Sequence, residues 1–310
     1  MSLNIDDKNY SLGVELDKIH LRNPTMLASG ILGISQNIFE RLYKNNIGAV
    51  VSKSISVSPM KGYHNPTLVP LGGGNYLNAV GLSNPGAHAF SRELSRNKNV
   101  PIIVSLVGSS EKEFSKMVGL FESLNILGYE INLSCPHVSK MGMEVGDDPE
   151  TVSNIVRTVR MNTSKPISVK VGVGSIDVLE LSRIAVDAGA DIITAINTLR
   201  AMSIDIETMM PILSNRIGGL SGRAIKPVGI RCVYEISKKL HVPVIGCGGV
   251  SSWQDVIEYM AAGASAVQIG SVLGYTGPKL FNQITNDLKK YVEKKGMKNV
   301  SEVIGIAHKY

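Results

Sequence analysis

Apolar residues in this chain follow two alternating rhythms. Eight short apolar runs begin near Thr25, Ala49, Ile102, Tyr129, Ile167, Ala190, Val244 and Ala264, each of strand length. Between them the spacing becomes helical. Asp148-Pro149-Glu150 offers a cap, a first-turn proline and a first-turn acid, and Val152, Ile155, Val156 and Val159 then form one stripe. Asp177 likewise precedes Val178, Leu181 and Ala185, and Ser252 precedes Val256, Tyr259 and Met260. The punctuation alternates too. Pro24, Pro101, Pro166 and Pro243 stand before the odd runs, and Gly48, Gly128, Gly189 and Gly263 before the even ones. Proline suits the first residue of a strand, and glycine suits the left-handed turn that ends a helix. Eight such marks make an internal repeat of paired strand–helix units.

This repeat predicts an α/β fold: a parallel (β/α)8 TIM barrel. An open doubly wound sheet would need a GxGxxG turn or another phosphate loop after an early strand, and the sequence has none. Leu12, Val14 and Leu16 alternate, as do Ile19 and Leu21, with Asp17-Lys18 between them. They predict a short N-terminal β-hairpin that plugs the bottom of the barrel. Residues 1–310 read as a single domain, with the barrel proper at about 24–295. Three connections are long: Ser54 to about Asn84, Ser134 to Asp148, and Asn197 to about Ile225. Long loops over the C-terminal strand ends are where barrels carry function.

Composition narrows the class. The chain has 310 residues, 44% hydrophobic and 19% charged, which excludes a disordered protein. No apolar run approaches the ~18 residues a membrane span needs. The three cysteines, Cys135, Cys232 and Cys247, form no CxxC and no cluster with histidine. That argues against an iron–sulfur cluster or zinc held by this chain alone, and no metal site is assigned. Three cysteines fit a reducing cytosol, and the first residues have no basic-then-apolar pattern, so a cytoplasmic protein without a signal peptide is expected. The net charge of +6 comes from scattered residues. It suggests an anionic ligand rather than nucleic acid.

Barrel active sites lie at the C-terminal strand ends. There the sequence places Ser29, Lys53, Ser54, Ser105, Asn132, Cys135, Lys170, Ile196, Asn197, Thr198, Cys247, Gly248, Gly249, Gly270 and Ser271. The glycine turns after the last two strands, with helix N-termini, suit a phosphate, and Gly222 could close the same pocket. Lys170 alternates with Val169 and Val171, so it points into the barrel if those face the helices. It reads as a lysine beside a flavin ring, as the Schiff-base lysine of an aldolase, or as a strand-end lysine reaching water. Asn78, Asn132 and Asn197 could present amides to one small ligand, and Lys53 suits a carboxylate. Cys135 precedes proline on a loop facing this pocket, and a thiol there could take a proton from carbon as a hydride leaves. Cys232 and Cys247 read as small buried residues.

Asn132-Leu133-Ser134-Cys135-Pro136, Lys53-Ser54, Asn78-Ala79-Val80-Gly81-Leu82, Asn197-Thr198, Gly219-Leu220-Ser221-Gly222 and Gly248-Gly249, taken in order, resemble the class 1 dihydroorotate dehydrogenases. The match runs from about Leu16 to the C-terminal Glu302–His308 stretch. The resemblance implies an FMN-binding barrel, one FMN per chain, that oxidises (S)-dihydroorotate to orotate in pyrimidine (UMP) biosynthesis. Cys135 would be the base. Ser29, Lys53, Ser54, Asn132, Lys170, Ile196, Gly222, Gly248, Gly249, Gly270 and Ser271 would hold FMN. Lys53, Asn78, Ala79, Val80, Gly81, Leu82, Asn132, Asn197 and Thr198 would hold substrate. The stretch Met141–Glu150 is similar to the class 1B loop. That class pairs its FMN subunit with a second subunit carrying FAD and a [2Fe–2S] cluster, through which electrons reach NAD. It implies a heterotetramer of two plus two around a homodimer core. Two departures are His137, where asparagine is usual, and Ser105, where asparagine is frequent.

The competing readings are a fumarate-dependent class 1A enzyme, a dihydropyrimidine dehydrogenase module, a tRNA dihydrouridine synthase and a Schiff-base aldolase. The dehydrogenase module carries ferredoxin-like cysteine clusters, and the synthase an RNA-binding helical domain after strand eight; this sequence has neither. The aldolase would be colourless.

Overall fold

A computed structural model describes residues 11–97, 99–133, 146 and 148–310. β1 (Val14–Leu16) and β2 (Ile19–Leu21) pair antiparallel around Asp17, whose φ is 53°. The chain continues through β3 (Thr25–Leu27), β4 (Ala49–Val51), β5 (Leu68–Gly72), β6 (Asn75–Asn78), β7 (Ile102–Leu106), β8 (Gly128–Asn132), β9 (Ile167–Val171), β10 (Ile192–Ala195), β11 (Leu199–Ala201), β12 (Ile204–Asp205), β13 (Met210–Pro211), β14 (Gly218–Gly222), β15 (Val244–Cys247) and β16 (Ala264–Ile269). β3, β4, β7, β8, β9, β10, β15 and β16 close into a parallel barrel. These are the eight runs that the apolar pattern predicts. A helix follows each in turn: Gln36–Lys44, Ala87–Leu94, Glu111–Phe121, Pro149–Asn162, Val178–Asp187, Lys226–Lys239, Trp253–Ala261 and Lys279–Lys294.

The helices form where capping and striping agree. In Pro149–Asn162 the proline occupies the first turn after Asp148, and Val152, Ile155, Val156 and Val159 are all fully buried. Each such side chain contributes roughly 1.5–3 kcal/mol on burial. The Asp177 carboxylate accepts from the N–H groups of Leu179 (2.9 Å) and Glu180 (3.3 Å), satisfying two orphan donors. Ser252 and Asp255 form a reciprocal capping box on Trp253–Ala261.

The strand punctuation has two physical causes. Each proline lacks an N–H but keeps its carbonyl in the ladder. Val267, Val50, Tyr129 and Ile193 donate to the carbonyls of Pro24, Pro101, Pro166 and Pro243 at 2.8, 2.9, 2.9 and 3.1 Å. The glycines divide. Gly189 (φ 110°) and Gly263 (φ 114°) adopt positive φ after their helices, as expected. Gly48 and Gly128 do not. A Cβ on Gly48 would run into the carbonyls of Asn23 and Thr25, and one on Gly128 into that of Pro166. These two are glycine because the neighbouring strand comes too close.

The hairpin packs on β16, and Val14, Leu16, Ile19 and Leu21 join the buried cluster of the barrel. Only three residues separate β2 from β3, which fixes the hairpin at the N-terminal end of the barrel. Two of the long connections are not loops. They contribute β5, β6, β11 and β14 to a four-stranded antiparallel sheet, and β12 and β13 to a small hairpin. Sequence periodicity misses this sheet because its partners lie far apart in the chain: Leu220 pairs with Leu77, and Gly219 with Asn78.

Strand alternation sets what lies inside the barrel. Tyr129 and Ile131, and Val169 and Val171, are buried against the helix layer, and the Tyr129 hydroxyl reaches Glu122, at the C-terminal end of the preceding helix Glu111–Phe121, at 2.9 Å. Glu130, Asn132, Ser168 and Lys170 therefore point inward. Registered beside them are Ser105, opposite Glu130, and Thr194, opposite Lys170. Barrel interiors are usually filled by branched apolar side chains. This one carries a polar interior.

Candidate active site

The C-terminal strand ends and the antiparallel sheet above them enclose a cavity of about 1120 Å³. Most small-molecule sites measure ~300–1,000 Å³, so this one has room for more than one ligand. Ser29, Lys53, Ser54, Asn132, Lys170, Ile196, Gly222, Gly248, Gly249, Gly270 and Ser271 all line it. So do Asn78, Ala79, Val80, Gly81, Leu82, Asn197 and Thr198. Cys135 and His137 lie outside the described residues, as do Met141–Val145 and Asp147 of the class 1B-like stretch.

The floor is a set of linked polar groups. Lys170 is 5% exposed, and its ammonium donates to Ser29 Oγ (3.3 Å) and Gln268 Oε1 (3.0 Å). Burial acts to lower its pKa, but neighbouring Cys247 and Glu130 outweigh burial and raise it above the ordinary lysine value. Lys170 thus points inward, as its alternation with Val169 and Val171 implies. Asn132 Nδ2 donates to Ser54 Oγ at 2.9 Å, and Ser54 and Ser105 share a hydrogen bond of 3.0 Å. Ser105 is fully buried beneath the cavity and braces Ser54. Asn197 Nδ2 contacts Asn132 Oδ1 at 3.4 Å, so two of the three asparagines meet directly. The third, Asn78, comes down from the antiparallel sheet, where its Nδ2 donates to the Gly219 carbonyl at 2.9 Å.

Lys53 stands apart from this network. Its ammonium has no hydrogen-bond or ion-pair partner among the described residues, and burial lowers its pKa. A half-buried cation held without a counter-charge suits an anionic ligand.

At the ends of β15 and β16 the backbone itself supplies the polar groups of the cavity wall. The N–H groups of Gly248, Gly249, Gly270 and Ser271 donate to no acceptor among the described residues. Free N–H groups converging from two turns make an anion-binding concavity. Gly249 must be glycine: its φ is 69°, and a Cβ would meet the Gly222 carbonyl at 2.7 Å. Gly222 (φ 103°) has no room either, because a Cβ would strike the Gly74 carbonyl. The Gly218–Gly222 strand thus closes the cavity against the Gly72–Gly74 turn.

Among the described residues no group of three or more His, Cys, Asp and Glu could hold a metal ion. None of their helices is long and apolar enough to cross a membrane. Cys232 and Cys247 are free and buried, as their sequence setting suggests. The surroundings of Cys247 are unexpected, since it lies against Lys170 and lines the cavity. Sequence reading also missed Glu130 and Gln268 behind Lys170, and Tyr63, Tyr76 and Arg200 on the cavity wall. The first two had a signal, a polar residue at an inward register inside an apolar strand. The others sit in connections without helical or strand periodicity.

A closed parallel barrel with a ligand-sized, polar-floored cavity over its C-terminal strand ends defines an α/β-barrel enzyme. The chain belongs to the dihydroorotate dehydrogenase family, whose model, described as "Dihydroorotate dehydrogenase", matches residues 11–292. It is 43% identical to the "Dihydroorotate dehydrogenase B (NAD(+)), catalytic subunit" of Pyrococcus furiosus, over 96% of this chain and 99% of that protein. The similarly described protein of Methanocella arvoryzae is 44% identical over 93% of this chain and 95% of its own length. That of Methanothermobacter thermautotrophicus is 42% identical over 96% and 99%.

Proposed function

We propose that this chain is the catalytic subunit of a two-component enzyme that oxidises (S)-dihydroorotate to orotate. FMN would occupy the cavity, and electrons would pass through a partner subunit to NAD. The single observation that carries this is the convergence on one cavity of an unpartnered cation, an asparagine cluster and a cradle of free N–H groups. The residues fit FMN. Gly248, Gly249, Gly270 and Ser271 would take its phosphate on backbone N–H groups. Ser29, Ser54, Asn132 and Lys170 would meet its polar groups, with Ile196 and Gly222 completing the wall. When bound, FMN supplies the acceptor for a hydride.

The other half of the reaction belongs to the chain. Lys53 would pair with the substrate carboxylate, and Asn78, Asn132 and Asn197 would hold the ring amides, with Ala79 to Leu82 and Thr198 around them. Oxidation breaks two C–H bonds and makes one C=C bond. The C5 hydrogen leaves as a proton to the thiolate of Cys135, and the C6 hydrogen leaves with its electron pair. Positioning both bonds at once is what fixed amides and a fixed cation contribute. Cys135 is assigned by its place in Asn132-Leu133-Ser134-Cys135-Pro136.

The partner reading rests on the relatives' description as catalytic subunits of an NAD-dependent enzyme. The partner would carry FAD and a [2Fe–2S] cluster in a heterotetramer of two plus two. The β12–β13 hairpin exposes Ile206 (74%) and Met209 (77%), which supports an interface between two copies of this chain at the core of that assembly. The test is turnover by the purified single chain. Dihydroorotate should bleach its flavin in one turnover, with slow NAD reduction until the FAD and iron–sulfur subunit is added. Rapid NAD reduction by the chain alone would sink the two-component reading. Rapid fumarate reduction would make it a single-component enzyme.

A further inference from the structure

Behind Lys170 lies a layer of polar groups that the proposed reaction leaves unused. Glu130 and Gln268 are each 1% exposed, and Thr194 is fully buried. A carboxylate sealed in a barrel is costly unless something pairs with it. Here the pairing runs through an amide. The Lys170 ammonium donates to Gln268 Oε1 at 3.0 Å, and Gln268 Nε2 donates to Glu130 Oε2 at 2.5 Å. Thr194 Oγ1 donates to the same Glu130 oxygen at 3.2 Å, while Glu130 Oε1 has no partner among the described residues. The amide fits only one way round. An ammonium offers no acceptor to the NH2 end, and a carboxylate offers no donor to the oxygen. The path therefore has a direction, from a cation facing the cavity to an anion beneath it.

We propose that Glu130, acting through Gln268, is a positioning residue that keeps Lys170 charged and aimed into the cavity. This rests on the FMN reading above, because it concerns what Lys170 presents to that group. Five elements face Lys170 among the described residues: β8 with Glu130 and Asn132, β10 with Thr194, β15 with Cys247, β16 with Gln268, and the turn after β3 with Ser29. Of these only Glu130 and Cys247 have ionisable side chains. Burial pushes the Cys247 thiol up, so it brings no charge at neutral pH. At neutral pH the charge that offsets the burial of Lys170 is then that of Glu130, and Cys247 adds to it only where the thiol ionises. Without it the ammonium would shed its proton at a pH where the native protein keeps it, and the cavity floor would present a neutral amine.

The test is the dissociation constant of FMN, read from flavin fluorescence between about pH 7 and 9.5 in a Lys53→Met background, which removes the other lysine lining the cavity. That window lies above the phosphate ionisation near ~6 and below the ordinary lysine value of ~10.4. That background alone should give a flat profile. In Glu130→Gln the constant should rise with pH, by up to about tenfold per unit above the new Lys170 pKa. Gln268→Leu cuts the same path without touching the carboxylate and should show the same slope. Glu130→Asp should stay flat. Adding Lys170→Met to Glu130→Gln should give weaker but flat binding, since neither cavity lysine is left to titrate. A flat profile in folded Glu130→Gln or Gln268→Leu overturns the proposal, as does a slope that survives in the double variant. A native chain that takes up no FMN would be a different result and would overturn the FMN reading itself.

Discussion

Replacing Tyr259 with phenylalanine removes one oxygen atom behind the cavity and tests how the N–H cradle is aimed. Tyr259 sits on the helix Trp253–Ala261 and is fully buried. Its ring fills the space that Gly229 and Gly246 leave, where a Cβ would strike it. Its hydroxyl donates to the Gly248 carbonyl at 2.8 Å, and burial first, then neighbouring acidic groups, keep it protonated far above the ordinary tyrosine range. In a trans peptide the carbonyl of one residue and the N–H of the next point in opposite directions. Anchoring the Gly248 carbonyl on the helix side thus turns the Gly249 N–H toward the cavity that Gly249 lines. Tyr259→Phe keeps the ring but leaves a buried carbonyl without a partner, at a cost of about 1–3 kcal/mol. A Gly249 N–H that loses its aim also loses one hydrogen bond to a charged phosphate, worth about 1.5–3 kcal/mol. That is a rise of about tenfold to a hundredfold in the FMN Kd. Urea unfolding of the flavin-free chain reads the first quantity, and flavin fluorescence titration reads the second. A variant that loses stability yet binds FMN unchanged would refute the peptide-orientation argument.

Two further substitutions separate structure from chemistry. The Asp255 carboxylate accepts from the N–H groups of Ser251 (2.8 Å) and Ser252 (3.0 Å) and from Lys226 Nζ (2.7 Å), tying the turn after β15 to two helices. Burial opposes its ionisation, but Lys226 and Ser251 outweigh burial and hold it below the usual carboxylate range. Its stabilisation is complete above the unfolded value of ~3.9 and is lost as pH falls through the lower folded value. Asp255→Asn should cost about 1.5–3 kcal/mol at neutral pH and flatten that acid limb; thermal melts that run parallel to the native protein's down to low pH would contradict this. Lys53→Met should weaken orotate binding by about tenfold to a hundredfold, the worth of one hydrogen bond to a charged group. Because burial lowers Lys53, native orotate affinity should decline with rising pH from below ~10.4, and the variant should not follow. The orotate-induced shift of the flavin spectrum measures both, and equal affinities would remove Lys53 from the substrate site.

What the sequence shows best is what periodicity can carry. Val152, Ile155, Val156 and Val159 mark a helix because the period of 3.6 is local, and Pro24 to Pro243 mark strand starts because a missing N–H is tolerated only there. The strand ends then follow from the barrel, and Ser29, Asn132 and Lys170 fall into one cavity. The antiparallel sheet over that cavity was not legible. Its strands are short and glycine-rich, and Leu220 finds Leu77 only in three dimensions. Gly48 and Gly128 show the same limit, since a glycine required by a neighbouring strand looks in sequence like a glycine required by a turn.

The polar interior follows from how a barrel divides its strands. On β8 and β9 the outward set, Tyr129, Ile131, Val169 and Val171, is apolar and fully buried against the helices. That layer, continuous with the helix stripes, supplies the apolar burial the fold requires. The inward set is then free to be chosen for chemistry, provided each polar group finds a partner. Ser54 meets Ser105 and Asn132, Ser168 meets Thr194 at 2.8 Å, and Gln268 meets both Lys170 and Glu130. Cutting one partner from such a set leaves a buried group exposed to its full desolvation cost, about 1–3 kcal/mol for a neutral group and more for a charged one. The same connectivity that makes the interior affordable also makes it rigid. A rigid floor is what a site needs if it is to hold a cation, an amide cluster and a proton acceptor in register around one reacting C–C bond.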